Sequence, residues 1–336
     1  MKKCGPLGLV VAGLLSIASP ATAEHRDLKQ TQPLRYYQVS GGLTLAGFGL
    51  SGLGYLAFRD SPPGSRWNSF RGDDLVEQNY SAAAAAVSDQ LLVTNLALPL
   101  VFQLSHGFDV TAANAAMIYG QTQSLNGLLV MTAKLAARRP RPYTQSSDPR
   151  VREFARNVGP DATMSFFSGH SSASFSAATT GTILYAARSD LTWARYTYFG
   201  LGYTLAGVTA QLRVCAGRHY RTDIWTGSVL GLGMGVLVPW LNDIDLSRVR
   251  TAEIAVAGAA TAVTMGLSEA VGFCSLMSSI GLRDVPKKVL APVELPGESE
   301  GGQKPPPIPE THAPGSWLIL PALFDDGFGL QLAGEL

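Results

Sequence analysis

An all-α fold, an antiparallel helical bundle of about six to seven helices, is what this 336-residue sequence predicts. Three observations carry that reading. Hydrophobic residues make up 46% of the chain and charged residues 15%, so an apolar core or an apolar solvent must take up most of it. The apolar residues fall into stretches several helical turns long, divided by short charged segments. Those stretches are rich in Ala, Gly, Ser and Thr, which let helix backbones approach closely.

In chain order, residues 1–23 read as a secretory signal peptide: Lys2 and Lys3, an apolar run from Leu7 to Ile17, then Ala21-Thr22-Ala23 as a small-x-small cleavage site. Whether cleaved or kept as an anchor, this segment places residue 24 outside the inner membrane. Cleavage leaves Cys215 and Cys274, too few for a disulfide framework; one bridge between them is open, with no motif to support it. Residues 24–81 form an N-terminal segment with a Gly-rich apolar helix at Leu43–Phe58. The main helical domain, residues 82–283, carries helices at Ala82–Leu104, Val110–Leu135, Ser171–Ala187, Tyr196–Leu212, Thr222–Leu241 and Ile254–Phe273. Polar residues at Asp89, Gln90, Asn95, Asn114, Gln121, Gln123 and Asn126 argue against a membrane span for two of these. Both a membrane bundle and a soluble or peripheral bundle therefore fit.

From Asp284 to Gly315 the composition turns to Pro, Glu, Gly and Lys, including Pro305-Pro306-Pro307, which marks a Pro-rich linker over 284–315. Residues 316–336 place two apolar runs around Asp325-Asp326-Gly327, the pattern of a small C-terminal β-hairpin. A lone hairpin is marginal in water, so it should dock on the helical body, a membrane or a partner. The net charge is +1, which excludes a global field that recruits nucleic acid or anionic lipid. Any anion site must be local.

One such site is written into "RVCAGRHYRTD", residues 213–223. Cys215, Arg221 and Thr222 have the spacing of the Cys-x5-Arg-Ser/Thr loop of cysteine-dependent phosphatases. That loop carries a glycine and a histidine where this chain has Arg218 and Val214, and a cysteine beside an apolar helix is usually a small packing residue. The other reading is Arg213-x5-His219-x3-Asp223. If the chain is helical from Thr222, Asp223 can return to hydrogen-bond one imidazole nitrogen, fixing the tautomer and leaving the other nitrogen to attack. A His-x3-Asp pair alone is more often a local structural bond.

Two upstream motifs decide between them. In "KLAARRPRP", Lys134 is followed after six residues by Arg141-Pro142 at the polar end of an apolar helix. In "SFFSGHSS", Ser168, Gly169 and His170 precede a helix of small residues, whose free amides form an anion site that glycine lets a ligand approach. Together and in this order the three motifs resemble the type 2 phosphatidic acid phosphatase superfamily, which also includes vanadium haloperoxidases and bacterial acid phosphatases. Its pattern is Lys-x6-Arg-Pro, Pro-Ser-Gly-His and Ser-Arg-x5-His-x3-Asp, and the resemblance covers roughly residues 82–241.

The resemblance implies His219 as the phosphoryl-accepting nucleophile, Asp223 as its orienting partner and His170 as the acid that protonates the leaving oxygen. Lys134, Arg141, Arg213, Ser168 and the Gly169 amide would hold the phosphate oxygens. No metal or cofactor is implied, vanadate excepted for the haloperoxidase branch. Phe167 and Leu212 depart from the pattern, replacing its proline and its serine, but neither change removes a charge or the nucleophile. His25, His106 and His312 have no motif around them, and Asp73-Asp74 reads as a solvated loop pair that, with Trp67 and Arg71, could shape an entrance.

The expected activity is hydrolysis of a phosphomonoester or pyrophosphate, lipid-borne because the scaffold is apolar. The rivals are a soluble broad-specificity acid phosphatase, a vanadate-dependent haloperoxidase and an idle envelope protein that binds anionic lipid. The expected place is the bacterial cell envelope, with the protein exported and membrane-associated. If Leu43–Phe58 crosses a membrane, the site faces the cytoplasm; the shortness and glycines of that segment favour no crossing and a periplasm-facing site.

Overall fold

The computed structural model describes residues 28, 34–58, 73, 76, 79–267, 272–279, 318–324 and 327–333. The expected signal peptide and linker, His25, His312, Trp67, Arg71 and Asp74 lie outside them.

The described chain is helical apart from two strands: α1 (Leu34–Phe58), α2 (Ala82–Leu104), α3 (Val110–Ala137), α4 (Pro149–Asn157), α5 (Gly169–Arg188), α6 (Thr192–Cys215), α7 (Arg221–Leu241), α8 (Thr251–Thr261) and α9 (Phe273–Ser279). Short polar side chains fix the starts, as helix N-caps do. Ser81 accepts from the Ala84 amide at 3.1 Å, Asp109 from Ala112 at 2.8 Å, and Asp148 from Arg150 at 2.9 Å ahead of Pro149. α3 ends on a non-glycine residue in the left-handed region, Arg138 at φ 46°, whose amide donates to the Lys134 carbonyl at 2.9 Å. That turn redirects the chain at the point where Arg139 and Arg141 begin.

Two elements differ from expectation. α1 starts at Leu34 rather than Leu43 and packs along α3, where the Ser124 hydroxyl donates to the Thr44 carbonyl at 2.8 Å. The helix expected over Ile254–Phe273 is divided: α8 passes into a π-turn at Ala262–Leu267, and α9 starts at Phe273. Side chains compete for the ladder there. Thr264 donates back to the Ala260 carbonyl at 2.7 Å, and Gln211 of α6 donates to the Met265 carbonyl at 3.0 Å.

The helices alternate in direction. At one end the start of α2 meets the end of α6, where Asn79 donates to the Val214 carbonyl at 3.3 Å. At the other, Arg188 closing α5 pairs with Asp109 opening α3 at 2.9 Å, and buried Arg195 of α6 grips Glu253 of α8 at 2.6 and 2.7 Å. α5 is the central helix, buried from Gly169 to Tyr185 except at Ala173, although it is rich in Ser and Thr. Its hydroxyls are satisfied locally, Thr179 by the Phe175 carbonyl and Thr182 by Ala178, each at 2.7 Å.

α7 lies against α5 on a face of Gly227, Gly231 and Gly235. A Cβ at Gly231 would overlap the Ser172 carbonyl, and one at Gly227 would sit 2.6 Å from the Ser168 carbonyl. Spacing of four residues puts these glycines on one stripe, so the two backbones touch. The apolar core beside them gathers Phe175, Phe199, Tyr203 and Ile224.

Cys215 and Cys274 form a disulfide joining the end of α6 to α9, Cα to Cα 5.1 Å. The reading of Cys215 as a packing residue is corrected, although it does sit among Ala84, Ala85 and Leu212. Its sulfur is in a covalent bond and is not a thiolate.

Strand β1 (Leu318–Phe324) pairs antiparallel with β2 (Gly327–Ala333), Leu318 opposite Ala333; the expected turn residues 325 and 326 lie outside the described residues. Among the described residues, α2 and α7 are long and apolar enough to cross a membrane. Both turn apolar side chains outward: Val93, Leu100 and Val101 on α2, Val229, Val236 and Trp240 on α7.

The glycine stripe can be tested against its neighbour Gly233, where a Cβ meets nothing within 4 Å. Gly231→Ala should destabilise by about 1–3 kcal/mol through overpacking. Gly233→Ala should stabilise by up to about 1 kcal/mol through helix propensity. Thermal melts of the two variants separate these outcomes.

Candidate active site

The eight expected site residues are all buried, and they lie at the end of the bundle where α3 and α6 finish and α5 and α7 begin. After the Arg138 turn, Arg141 is locked from several sides. Its Nε donates to the Asp161 carbonyl at 2.9 Å, one terminal nitrogen to the Asp161 carboxylate at 3.0 Å and the other to the Arg218 carbonyl at 2.8 Å. The last of these also lies 3.4 Å from His219 Nε2.

Ser168 caps α5, its hydroxyl accepting from the Ser171 amide at 3.3 Å and the Ser171 hydroxyl at 3.0 Å. Its own amide donates to the Asp223 carbonyl at 3.1 Å, tying the start of α5 to the start of α7. The Phe166–Phe167 peptide bond is cis. Between α6 and α7 the chain turns at Gly217, φ 69°, where a side chain would run into the Asn79 carbonyl, so "RVCAGRHYRTD" needs its glycine.

His219 Nδ1 lies 2.8 Å from the Ser165 carbonyl. A carbonyl only accepts, so Nδ1 carries the proton, and the neutral ring presents the Nε2 lone pair toward Arg141. The expected partner, Asp223, is 3.6 Å from Nδ1, too long for a hydrogen bond. Its Oδ2 accepts instead from the Ser165 hydroxyl at 2.5 Å and the Tyr220 amide at 3.0 Å. Ser165 thus spans the pair, its carbonyl on His219 and its hydroxyl on Asp223.

The electrostatics favour a neutral His219 ring and an incoming anion. Burial, then the nearby Arg141, Arg213 and Lys134 charges, holds the His219 imidazole well below its ordinary pKa. Burial and then the Arg141 charge also hold the Lys134 ammonium well below its ordinary value. Cations this close repel one another, and an oxyanion among them would relieve that repulsion.

Several residues were not singled out from the sequence as site residues. Arg139 donates to Asp223 Oδ1 at 2.6 Å and to Asp73 Oδ2 at 2.5 Å, with its guanidinium 3.9 Å from the centre of the Tyr220 ring. Asp73 is therefore corrected from solvated loop residue to buried ion-pair partner, which also accepts from the Thr222 hydroxyl at 2.9 Å. Asp161 grips Arg141, and Asp89 of α2 accepts from His170 at 2.7 Å and Arg213 at 3.1 Å. The signals were slight: the second arginine in "ARRPRP" is a charge next to a motif, and Asp89 is a carboxylate in an apolar helix. Phe167 and Leu212, the two departures from the motifs, are buried.

Two outcomes follow. Arg139→Met removes the guanidinium shared by two buried carboxylates and should cost about 3–5 kcal/mol of stability, read by denaturation. Histidine 15N NMR should find His219 still neutral at pH 6, below the ordinary imidazole value of about 6.5; protonation at or above that value would contradict its burial among three cations.

Comparison with known proteins bears on the family. Residues 115–244 match the family model described as the PAP2 superfamily. A stretch of 87 residues is 34% identical to the lipid A 1-phosphatase of Porphyromonas gingivalis, covering 25% of this chain and 18% of that relative. No solved structure matches the chain. The matched segment, residues 115–244, is similar to the PAP2 superfamily and holds all eight motif residues, from Lys134 to Asp223.

Proposed function

We propose that this protein is a phosphatase that hydrolyses a phosphomonoester or pyrophosphate on a lipid, through a phosphohistidine and without a metal. The observation that carries the reading is the buried His219, its Nδ1 2.8 Å from the Ser165 carbonyl and its Nε2 3.4 Å from Arg141, within the field of Lys134 and Arg213. The Nε2 lone pair attacks phosphorus, the bond from phosphorus to the leaving oxygen breaks, and His170 gives that oxygen its proton. Lys134, Arg141, Arg213, Ser168 and the Gly169 amide take the charge on the remaining oxygens. Water then attacks phosphorus, the phosphorus–nitrogen bond breaks, and phosphate leaves while His170 recovers a proton from the water.

A lipid substrate is supported by the outward apolar faces of α2 and α7 and by the matched relative, which is named for action on lipid A. Phosphatidate, phosphatidylglycerol phosphate, polyprenyl pyrophosphate and lipid A phosphate are the substrates to be tried. We read residues 82–283 as the phosphatase domain, 24–81 as its N-terminal segment, and the C-terminal strands as a hairpin attached through the linker. The location is the cell envelope, with the site facing the periplasm. Shortness of the first helix no longer supports that orientation, since α1 runs from Leu34 to Phe58. The disulfide does: Cys215 lies two residues after Arg213 and four before His219, so the bond belongs to the site end, and such bonds persist in oxidising compartments.

Phosphate release from a panel of lipid phosphates, with chelator present, tests the mechanism. His219→Ala should lose at least about 10³-fold in turnover, while Cys215→Ser/Cys274→Ser should keep the chemistry and lose thermal stability. Full activity in His219→Ala would sink the proposal.

A further inference from the structure

We infer that Asp89 is a positioning residue of the proposed reaction, its single carboxylate holding both the histidine that serves the leaving oxygen and an arginine that grips phosphate. The inference rests on the phosphatase reading above. Asp89 Oδ1 accepts from His170 Nε2 at 2.7 Å and from an Arg213 terminal nitrogen at 3.1 Å. The same nitrogen of Arg213 donates to the Ser88 hydroxyl at 3.2 Å, so two adjacent residues of α2 fix its direction.

Asp89 stands on α2, outside the segment that matches the PAP2 model and outside the three motifs. Its side chain is 31% exposed, while those of His170 and Arg213 are 0% exposed. A carboxylate that only neutralised buried charge would be expected inside with them; this one stands where the site meets its surroundings. The charged groups that face the pair come from every neighbouring element. Arg213 of α6 and Arg218 of the following turn act on Asp89, and His219, itself facing Lys134, Arg141 and Asp223, lies near His170.

The chemical consequence concerns the proton. In the His170 imidazolium both nitrogens carry hydrogen. Nε2–H stays with Asp89 while the Nδ1 proton passes to the leaving oxygen as its bond to phosphorus breaks, and a neutral ring remains, still held by Asp89. When water attacks the phosphohistidine, Nδ1 takes the water proton and the imidazolium is restored. An opposite charge at this distance favours the protonated ring, so Asp89 keeps the acid loaded and aimed.

Asp89→Asn keeps the size and removes the charge; Asp89→Glu restores the charge. Histidine 15N NMR of the full-length protein, with resonances assigned by His170→Gln, reads the protonation midpoint of His170 directly. The midpoint should fall by about one pH unit or more in Asp89→Asn and recover in Asp89→Glu. The alkaline limb of kcat/KM, where the acid is lost, should move down in step, and KM should rise as Arg213 loses its guide. Asp89→Ser serves if the Asn variant does not fold. An unchanged midpoint and an unchanged alkaline limb in a folded charge-free variant overturn the inference, and a lowered melting temperature alone would mark a structural ion pair. A wild-type protein that releases no phosphate from any lipid tested defeats the functional reading separately, because the NMR midpoint decides the link between Asp89 and His170 without turnover.

Discussion

Everything at the functional end depends on how closely α5 and α7 approach. Gly227, Gly231 and Gly235 remove the side chains that would hold the two backbones apart. Contact between them lets the Ser168 amide reach the Asp223 carbonyl, so the loop that starts α5 and the loop that starts α7 become one surface. Both helices begin there. A bulkier residue at Gly227 would press on the Ser168 carbonyl, and one at Gly231 or Gly235 would push the two helices apart.

That contact makes possible a second feature, a high density of buried charge. Lys134, Arg139, Arg141 and Arg213 are all buried in one end of the bundle. Burying cations is costly unless counter-charges are supplied. The structure divides the task. Arg139 is committed to Asp73 and Asp223, and Arg141 is tied to Asp161, while Arg213 is steered from the more exposed Asp89. The same cations, with burial, keep the His219 ring neutral, and its Nδ1 is held by a backbone carbonyl. Ser165 links this histidine to Asp223, so the pair works through a third residue at a separation of 3.6 Å.

The sequence was most informative where chemistry and spacing coincide. Helix α2 was expected at Ala82–Leu104 and is found there, because Ser81 caps it and an apolar run fills it. The eight motif residues were legible for a similar reason: glycine, serine and charged residues stand out against an apolar background. α8 was harder to read. Its apolar pattern continues past Thr261, but the Gln211 amide and the Thr264 hydroxyl take carbonyls from the helical ladder, and hydropathy carries no record of such competition. The disulfide was open in the sequence and closed in space, since a separation of 59 residues does not reveal that α9 returns to the end of α6.

By itself the sequence determined the helical class, the placement of most helices and the residue types of the candidate site, because periodicity, caps and motif spacing are local properties. The tertiary structure alone decided which carboxylate serves which cation. Asp73 was read as solvated and is buried on Arg139, Asp89 counted only as a polar interruption in an apolar helix, and Asp223 turned from the imidazole to Ser165, Tyr220 and Arg139. A charge takes its partner from what is nearest and least exposed to water, and that is a property of packed helices rather than of positions along a chain.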